Sequence, residues 1–419
     1  MNINLLRDSQ RLSYKILSVF FVSFLVLQCA VPKNRKHPSE VFSRRERSLQ
    51  IPDCLIGYTE LQTNLPGGRQ ANVKTMRAVV INADGSGHRL LSRECMQPCD
   101  TMSQFAGWSP DGGKAIIGVG WKSNETAKWE EENKQFCHID GEVLYDNYLV
   151  DVYNGNAVNV TAVGRISNYN SGLFFWPDDP LKLGFTALIN GISHPFKMDI
   201  DGRNKIDLTK GSKDFTYGFN ASRDGKRIAY HRDYQVYIAD ADGTNAQHIE
   251  TGQKFNFGPQ WSPDGAWILF VSGERNTKCD PYLVRSDGTG LKKLADRKGY
   301  KGSIEFLDVF DFHGGSSDIP GWSADGKSVF YTAMNGNRVE LFQVGLDGKT
   351  QQLTHSPEGT LHYHPEPSPD GKWVLYGSRR EGVRQLFLMK LSDHHEYRIT
   401  NLKTGQAAMW AHWQPIVLK

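Results

Sequence analysis

The chain has 419 residues, a formal net charge of +3 and 11% aromatic residues. That length suits two ordinary domains or one large all-β domain, and 41 glycines favour strands and tight turns over helix. The near-neutral charge and the lack of a basic stripe argue against nucleic acid as a partner.

Residues 1–29 read as an export signal. Arg7, Arg11 and Lys15 precede the apolar run ILSVFFVSFLVL, residues 16–27. The run is short for a membrane span and suits the core of a signal peptide. It ends in VLQCA at Cys29. This resembles the bacterial lipoprotein signal, which implies that Cys29 is lipidated and becomes the new N-terminus, although Gln28 stands where a small residue is usual. An uncleaved anchor is the other reading. Both export the rest of the chain, to the periplasm or the outer membrane, and both confine membrane contact to the N-terminal segment. Residues 30–53, with KNRKHPSEVFSRRERS, read as a polar tether. Cys54, Cys95, Cys99, Cys137 and Cys279 follow. Their number is odd, so one at least stays unpaired within the chain, and CMQPC could close a small disulfide loop in an oxidising compartment.

From residue 54 onward the sequence repeats. A turn resembling W-S-P-D-G recurs at Trp108, Trp176, Ala221, Trp261, Trp322 and Pro367, followed by strands such as RIAYHR, SVFYTA and WVLYGS that read as alternating. A second turn follows in each unit, at Asp84, Asn154, Asp201, Asp242, Asp287, Asp347 and Asp393. Asp-Gly between apolar runs is a hairpin signal, because glycine accepts the positive φ of a tight turn. These aspartates therefore read as turn residues, not calcium ligands. The first of the second turns has no W-S-P-D-G hairpin before it, while AAMWAHWQPIVLK at the C-terminus has a Trp position and no blade of its own. A ring reconciles the two. Residues 54–419 are expected to form an all-β, seven-bladed β-propeller of four-stranded blades, closed by the C-terminal strand pairing into the first blade.

The W-S-P-D-G hairpins resemble the TolB-type, WD-like propeller repeats. The resemblance covers nearly all of the chain after the tether, and it implies architecture more than function. TolB itself carries a separate N-terminal domain before a six-bladed propeller. This chain has little room for such a domain and one more blade.

In a four-stranded blade both kinds of Asp-Gly turn project from one face. The opposite face carries the loops between second and third strands and those between blades. Two insertions, residues 121–147 and 295–318, both fall there, which marks it as the functional face. So do His194, His231, Arg232, Arg275, Arg379 and Arg380. An Arg- and His-rich rim suits an anionic ligand, since the planar guanidinium grips a carboxylate through two parallel hydrogen bonds. Ordinary solvated loop charge is the competing reading for each residue taken singly. At the channel mouth, alternation along a strand places His362 and His364 on one face, with Asp318 in the neighbouring blade. Two imidazoles and a carboxylate make a divalent-metal set that suits Mn, Zn or Fe.

HYHPEPSPDG, residues 362–371, resembles the H-x-H-P-x-x-[ST]-P-D segment of oligogalacturonate lyases, which are seven-bladed propellers. The resemblance implies that His362 and His364 bind a divalent metal that neutralises a uronate carboxylate during β-elimination. Gly359 stands where that family has glutamine, Asp318 falls near its further metal histidine, and Gly258 falls near its catalytic histidine. His231 is the substitute base this reading offers. Two functions follow. One is a non-catalytic, monomeric propeller that holds a protein or an acidic oligosaccharide at the cell envelope. The other is a metal-dependent polysaccharide lyase acting on uronate-containing glycan.

Overall fold

A computed structural model describes residues 51–66, 68–91, 102–122, 132, 143–162, 172–189, 192–214, 216–274, 278–300, 303–304, 309–310 and 318–415. The signal segment with Cys29, most of the tether, Cys95, Cys99, Cys137, Arg275 and much of both insertions lie outside the described residues.

Among the described residues, seven antiparallel four-stranded sheets follow one another as the blades of a propeller. A two-stranded ladder, Ser303–Ile304 with Val309–Phe310, lies within the second insertion. Blade 2 runs Met102–Trp108, Lys114–Lys122, Val143–Asp151 and Ala157–Asn159. Blades 3 to 7 span 174–207, 216–248, 255–293, 321–352 and 362–398. Blade 1 is composite. Its first strand is the tail, Gln406–Trp413, followed by Leu55–Gln62, Arg77–Asn82 and Arg89–Leu90. A six-residue helix, Gly68–Val73, sits between the second and third strands of blade 1. No helix of the described residues is long and apolar enough to cross a membrane.

The repeated turn owes its sequence to hydrogen bonding. In blade 5 the Ser262 hydroxyl donates to Asp264 at 2.5 Å, while Asp264 accepts the amide of Ala266 at 3.0 Å. Ser262 Oγ in turn accepts the amide of Trp267 at 2.9 Å. The same Ser–Asp pair closes the turns at Ser109, Ser222, Ser323 and Ser368. These carboxylates are consumed within their own turns, as local side chain-to-backbone bonding requires.

The strands after these turns do not alternate. RIAYHR is buried at its four central positions, and WVLYGS throughout. Each blade is covered on both faces by its neighbours, so its second strand reads as a continuous apolar run rather than a half-buried one. Apolar clusters fill the interfaces between neighbouring blades. One of them joins Trp373, Leu375 and Leu388 of blade 7 to Ile56, Tyr58 and Trp413 of blade 1. The second turns also lock neighbours together. A Cβ at Gly243 would stand 1.7 Å from the Leu208 carbonyl oxygen of the preceding blade, and one at Gly85 would stand 2.9 Å from that of Ile399. The second contact repeats the first across the seam where the ring closes.

Closure is made by the tail. Residues Gln406–Trp413 pair antiparallel with Leu55–Gln62 in a register from Ile56–Trp413 to Gln62–Gln406. Trp413 donates its amide to Glu366 Oε1 at 3.0 Å and its indole N–H to the Glu366 carbonyl at 2.9 Å, bridging to blade 7. On the other side, Trp108 of blade 2 donates to the His412 carbonyl at 3.1 Å. Trp413→Ala should therefore lower the unfolding free energy by about 3–5 kcal/mol in urea titration. Tyr153→Ala, at a ring 78% exposed, should move it by less than about 0.5 kcal/mol. Equal effects would show that the tail is not what holds the ring.

Candidate functional site

The first strands of the blades line the axis, and several carry the same irregularity. In blades 4, 5 and 7 the register shifts between Tyr217 and Asn220, between Phe257 and Gln260, and between Tyr363 and Glu366. The tail shifts likewise opposite Gly57 and Thr59. Each is a bulge with two residues facing one, and the facing residue is a buried aromatic: Tyr230, Phe270, Tyr376 and Tyr58. The first bulged residue adopts the left-handed conformation. It is Gly218 (φ 63) and Gly258 (φ 62) in blades 4 and 5, but His364 (φ 50) and Trp410 (φ 50) in blades 7 and 1. Glycine takes this conformation freely, whereas a side chain there costs about 1–2 kcal/mol.

The two glycines answer to crowding. A Cβ at Gly218 would stand 3.3 Å from the Gly258 Cα, and one at Gly258 would stand 3.1 Å from Ile319 Cδ1. On the opposite side the chain accepts strain and places two rings, His364 and Trp410, with centroids 6.2 Å apart. One residue past the bulge, His412 and Glu366 form an ion pair at 2.7 Å, both partly open to solvent. Burial disfavours a charged His412, but Glu366 outweighs it and holds the imidazole pKa above its ordinary value. For His364, burial prevails over the nearby Asp318 and lowers the pKa.

Asp318 acts as a positioning group. Its Oδ1 accepts the His364 amide at 2.6 Å, fixing the bulge, and lies 4.0 Å from His364 Nδ1. Its Oδ2 accepts from Thr332 Oγ1 and faces Arg297 Nη2 at 3.3 Å. Arg297 is wholly buried; it also donates to the Thr332 carbonyl at 2.8 Å, and its guanidinium lies 4.5 Å over the Tyr300 ring. A buried charge requires such full pairing.

His362 and His364 do not share a face, because His364 is itself the first residue of the bulge and is left-handed, whereas His362 is regularly paired with Ser378. His362 is fully buried, edge-on to Tyr376, with Nε2 at 2.8 Å from Ser356 Oγ and 3.4 Å from Glu340 Oε2. Burial pushes the Glu340 carboxyl up, but His362, Thr354 and the Ser356 amide overcome this and hold its pKa at about 2. The expected metal set does not fit these positions. His362 is bound into the wall, and both Asp318 oxygens are taken. Among the described residues no group of three or more His, Cys, Asp or Glu side chains is placed to hold a metal ion.

The expected basic rim is largely matched by the protein's own carboxylates. His194 Nδ1 lies 2.9 Å from Thr209 Oγ1 and 3.3 Å from Asp207. Arg232 lies over Tyr237 at 4.7 Å and faces Asp214 at 3.8 Å. Arg380 pairs with Glu396 and covers Phe387 at 4.1 Å. Arg379 is exposed, and its amide donates to the Leu361 carbonyl at 2.9 Å. His231 is completely buried among aromatic rings, and burial takes its pKa down to about 3. In this conformation it faces no solvent and cannot exchange a proton with a ligand. Among the described residues Cys54 has no disulfide partner, and its thiol pKa is pushed up to about 12 by burial and then by Asp370 and Asp53.

A family model described as PD40, TolB beta propeller domain, matches residues 231–416. The chain is a seven-bladed β-propeller, and its residues 231–416 are TolB-like. It is similar to the uncharacterized protein Atu1656 of Agrobacterium fabrum, 27% identical over 35% of this chain and 59% of that protein. A TolB homolog of Chlorobium luteolum is 24% identical over 38% of this chain and 31% of its own length. The chain therefore spans less than two thirds of either curated relative. An oligogalacturonate lyase solved with manganese superposes at a TM-score of 0.54, with 14% identity over 83% of this chain and 86% of that one. At that identity the likeness is one of fold.

The TolB-like frame shows what reading the repeats missed. Trp410, His412 and Glu366 on the axial strands, and the buried Arg297 and Glu340 beside Asp318 and His362, were not singled out. A usable signal existed. Gly218, Gly258, His364 and Trp410 occupy the same place in their repeats, two before the Asn220, Gln260, Glu366 and His412 positions. Non-glycine residues there mark the departure. The His412–Glu366 pair predicts a pH dependence. With its folded pKa raised above 6.5, His412 contributes stability that is full below that value and lost as pH rises through the raised one. Glu366→Gln should thus lower the urea midpoint clearly at about pH 6 and much less at about pH 9. A gap that widens with pH would rule the pair out.

Proposed function

We propose that this protein is an exported, non-catalytic binding propeller that engages a partner protein at its loop-rich channel mouth. Export follows from the basic start, the apolar run and the Cys29 signal, which would leave the ring tethered at the envelope. The observation that carries the binding reading is the pair of strained bulges. His364 and Trp410 stand in left-handed backbone where the equivalent positions of blades 4 and 5 have glycine. Strain retained at a site is a mark of function, because the fold alone would favour its relief.

The chemistry of the mouth favours a protein over an acidic glycan. Among the described residues, Arg232, Arg380 and His194 are matched by Asp214, Glu396 and Asp207, so these three leave little unpaired charge for a uronate. Trp410 and His364 instead offer an amphipathic aromatic pair, of the kind that anchors protein interfaces.

The test separates stability from binding. His364→Gly relieves the bulge and should change the unfolding free energy by no more than about 2 kcal/mol. The same variant, and Trp410→Ala, should reduce crosslinking of the mature protein to its envelope partner at least about tenfold. Titration with oligogalacturonate runs in parallel. Unchanged crosslinking in both variants, or saturable glycan binding without any protein partner, would overturn the reading.

A further inference from the structure

The hairpin between the second and third strands of blade 4 is the two-residue turn Asp233–Tyr234, flanked by the paired Arg232 and Gln235. Both turn residues are left-handed, with φ 47 and 61. Such turns are ordinarily filled by Asn-Gly or Asp-Gly, because a side chain at the second position is strained. Here that position holds tyrosine. Blade 6 makes its corresponding turn with Gly336 (φ 65) at the first position, and its second residue, Asn337, is not left-handed.

The strain places a ring. Tyr234 lies nearly parallel to His231, with centroids 5.4 Å apart and planes at 13°, and meets Phe255 at 4.8 Å. Its carbonyl accepts both the amide and the side-chain Nδ2 of Asn256 at 3.0 Å. Beneath it, His231 is walled by Phe257 at 4.8 Å and Tyr217 at 5.7 Å. Neither ring nitrogen of His231 has a hydrogen-bond partner among the described residues. On the axial side the backbone of Gly218 packs against it, where a Cβ would stand 3.1 Å from His231 Cδ2.

Two independent costs therefore meet at neighbouring residues: a left-handed tyrosine and a buried imidazole with both polar atoms unsatisfied. One motion relieves both. Swinging the turn outward, with the two Asn256 hydrogen bonds given up, would relax the backbone and let His231 reach a polar partner. It also vacates a slot the size of one aromatic ring between His231 and Phe255.

We propose that Tyr234 is the lid of a binding site at blade 4, and that in the open state an aromatic ring from the ligand takes its place against His231 and Phe255. The class of ligand follows from what the slot now holds, a phenol ring stacked between an imidazole and a phenyl group. The inference rests on the partner-binding reading only in locating the ligand at the loop-rich face, and it names an aromatic side chain as the group read there.

The experiment needs no partner, so its failure leaves the crosslinking result untouched. Wild-type protein is treated with diethylpyrocarbonate, and modification of His231 is followed by peptide mass spectrometry across sub-denaturing urea. A local lid predicts a rate that does not change with urea, since little surface is exposed on opening. A rate that climbs in step with global unfolding overturns the proposal. In Tyr234→Ala, His231 should be modified at least about tenfold faster, and p-cresol should restore protection saturably, as an apolar ring refills an engineered cavity. Tyr234→Ala protected as well as wild type, or p-cresol without effect, would also overturn it.

Discussion

The hydrogen bonding of the tail strand into the opening sheet is the constraint on which the rest depends. Gln406–Trp413 has no blade of its own and becomes the first strand of blade 1 by pairing with Leu55–Gln62. The ring then has no free inner edge, and residues more than three hundred positions apart become neighbours. Glu366 meets His412 and Trp413 only because of this pairing. Without it Trp410 would not stand beside His364. The proposed partner site at the mouth is thus a product of closure, straddling the seam between the last blade and the first.

Within the closed ring, the bulges decide what the axis presents. One register slip recurs in four blades opposite a buried aromatic, so those four share one backbone problem. Gly218 and Gly258 solve it cheaply and leave bare backbone. His364 and Trp410 solve it under strain and put rings on the opposite side. The mouth is therefore asymmetric although the blades are alike. The same logic applies to Asp233 and Tyr234, where strain again holds an aromatic ring in place. At both positions the proposed binding would draw on strain that stability alone would remove.

Charge in this molecule mostly serves position. Arg297 is buried with Asp318 and Thr332, and Asp318 in turn grips the His364 amide. The chain leaving blade 5 is so tied to the first strand of blade 7. Glu340, Ser356 and His362 form a second buried set between blades 6 and 7. Removing one member of such a set leaves a buried charge or polar group unpaired, which is why groups like these resist replacement singly. It also explains why Asp318 and His362 look like ligands in the sequence and act as struts in the fold.

The architecture was legible in the sequence because it is local and repeated. Each Ser-x-Asp-Gly turn closes on itself, each blade restates the one before, and an unmatched Trp at the tail announced the closure. The two-sided burial of the second strands was not legible, since it depends on neighbouring blades that no window of sequence contains. The site was legible only in part. Strand alternation put His362 and His364 on one face, and a bulge whose partner is Tyr376 separated them. Spacing named Arg232, Arg380 and His194 as part of a cationic rim, and in the fold Asp214, Glu396 and Asp207 pair with these three. What the sequence by itself determined was the blade, the number of blades and the piece that completes the ring. Which side chains face one another across the axis was decided by tertiary structure alone, because those pairs come from different blades and meet only once the circle is closed.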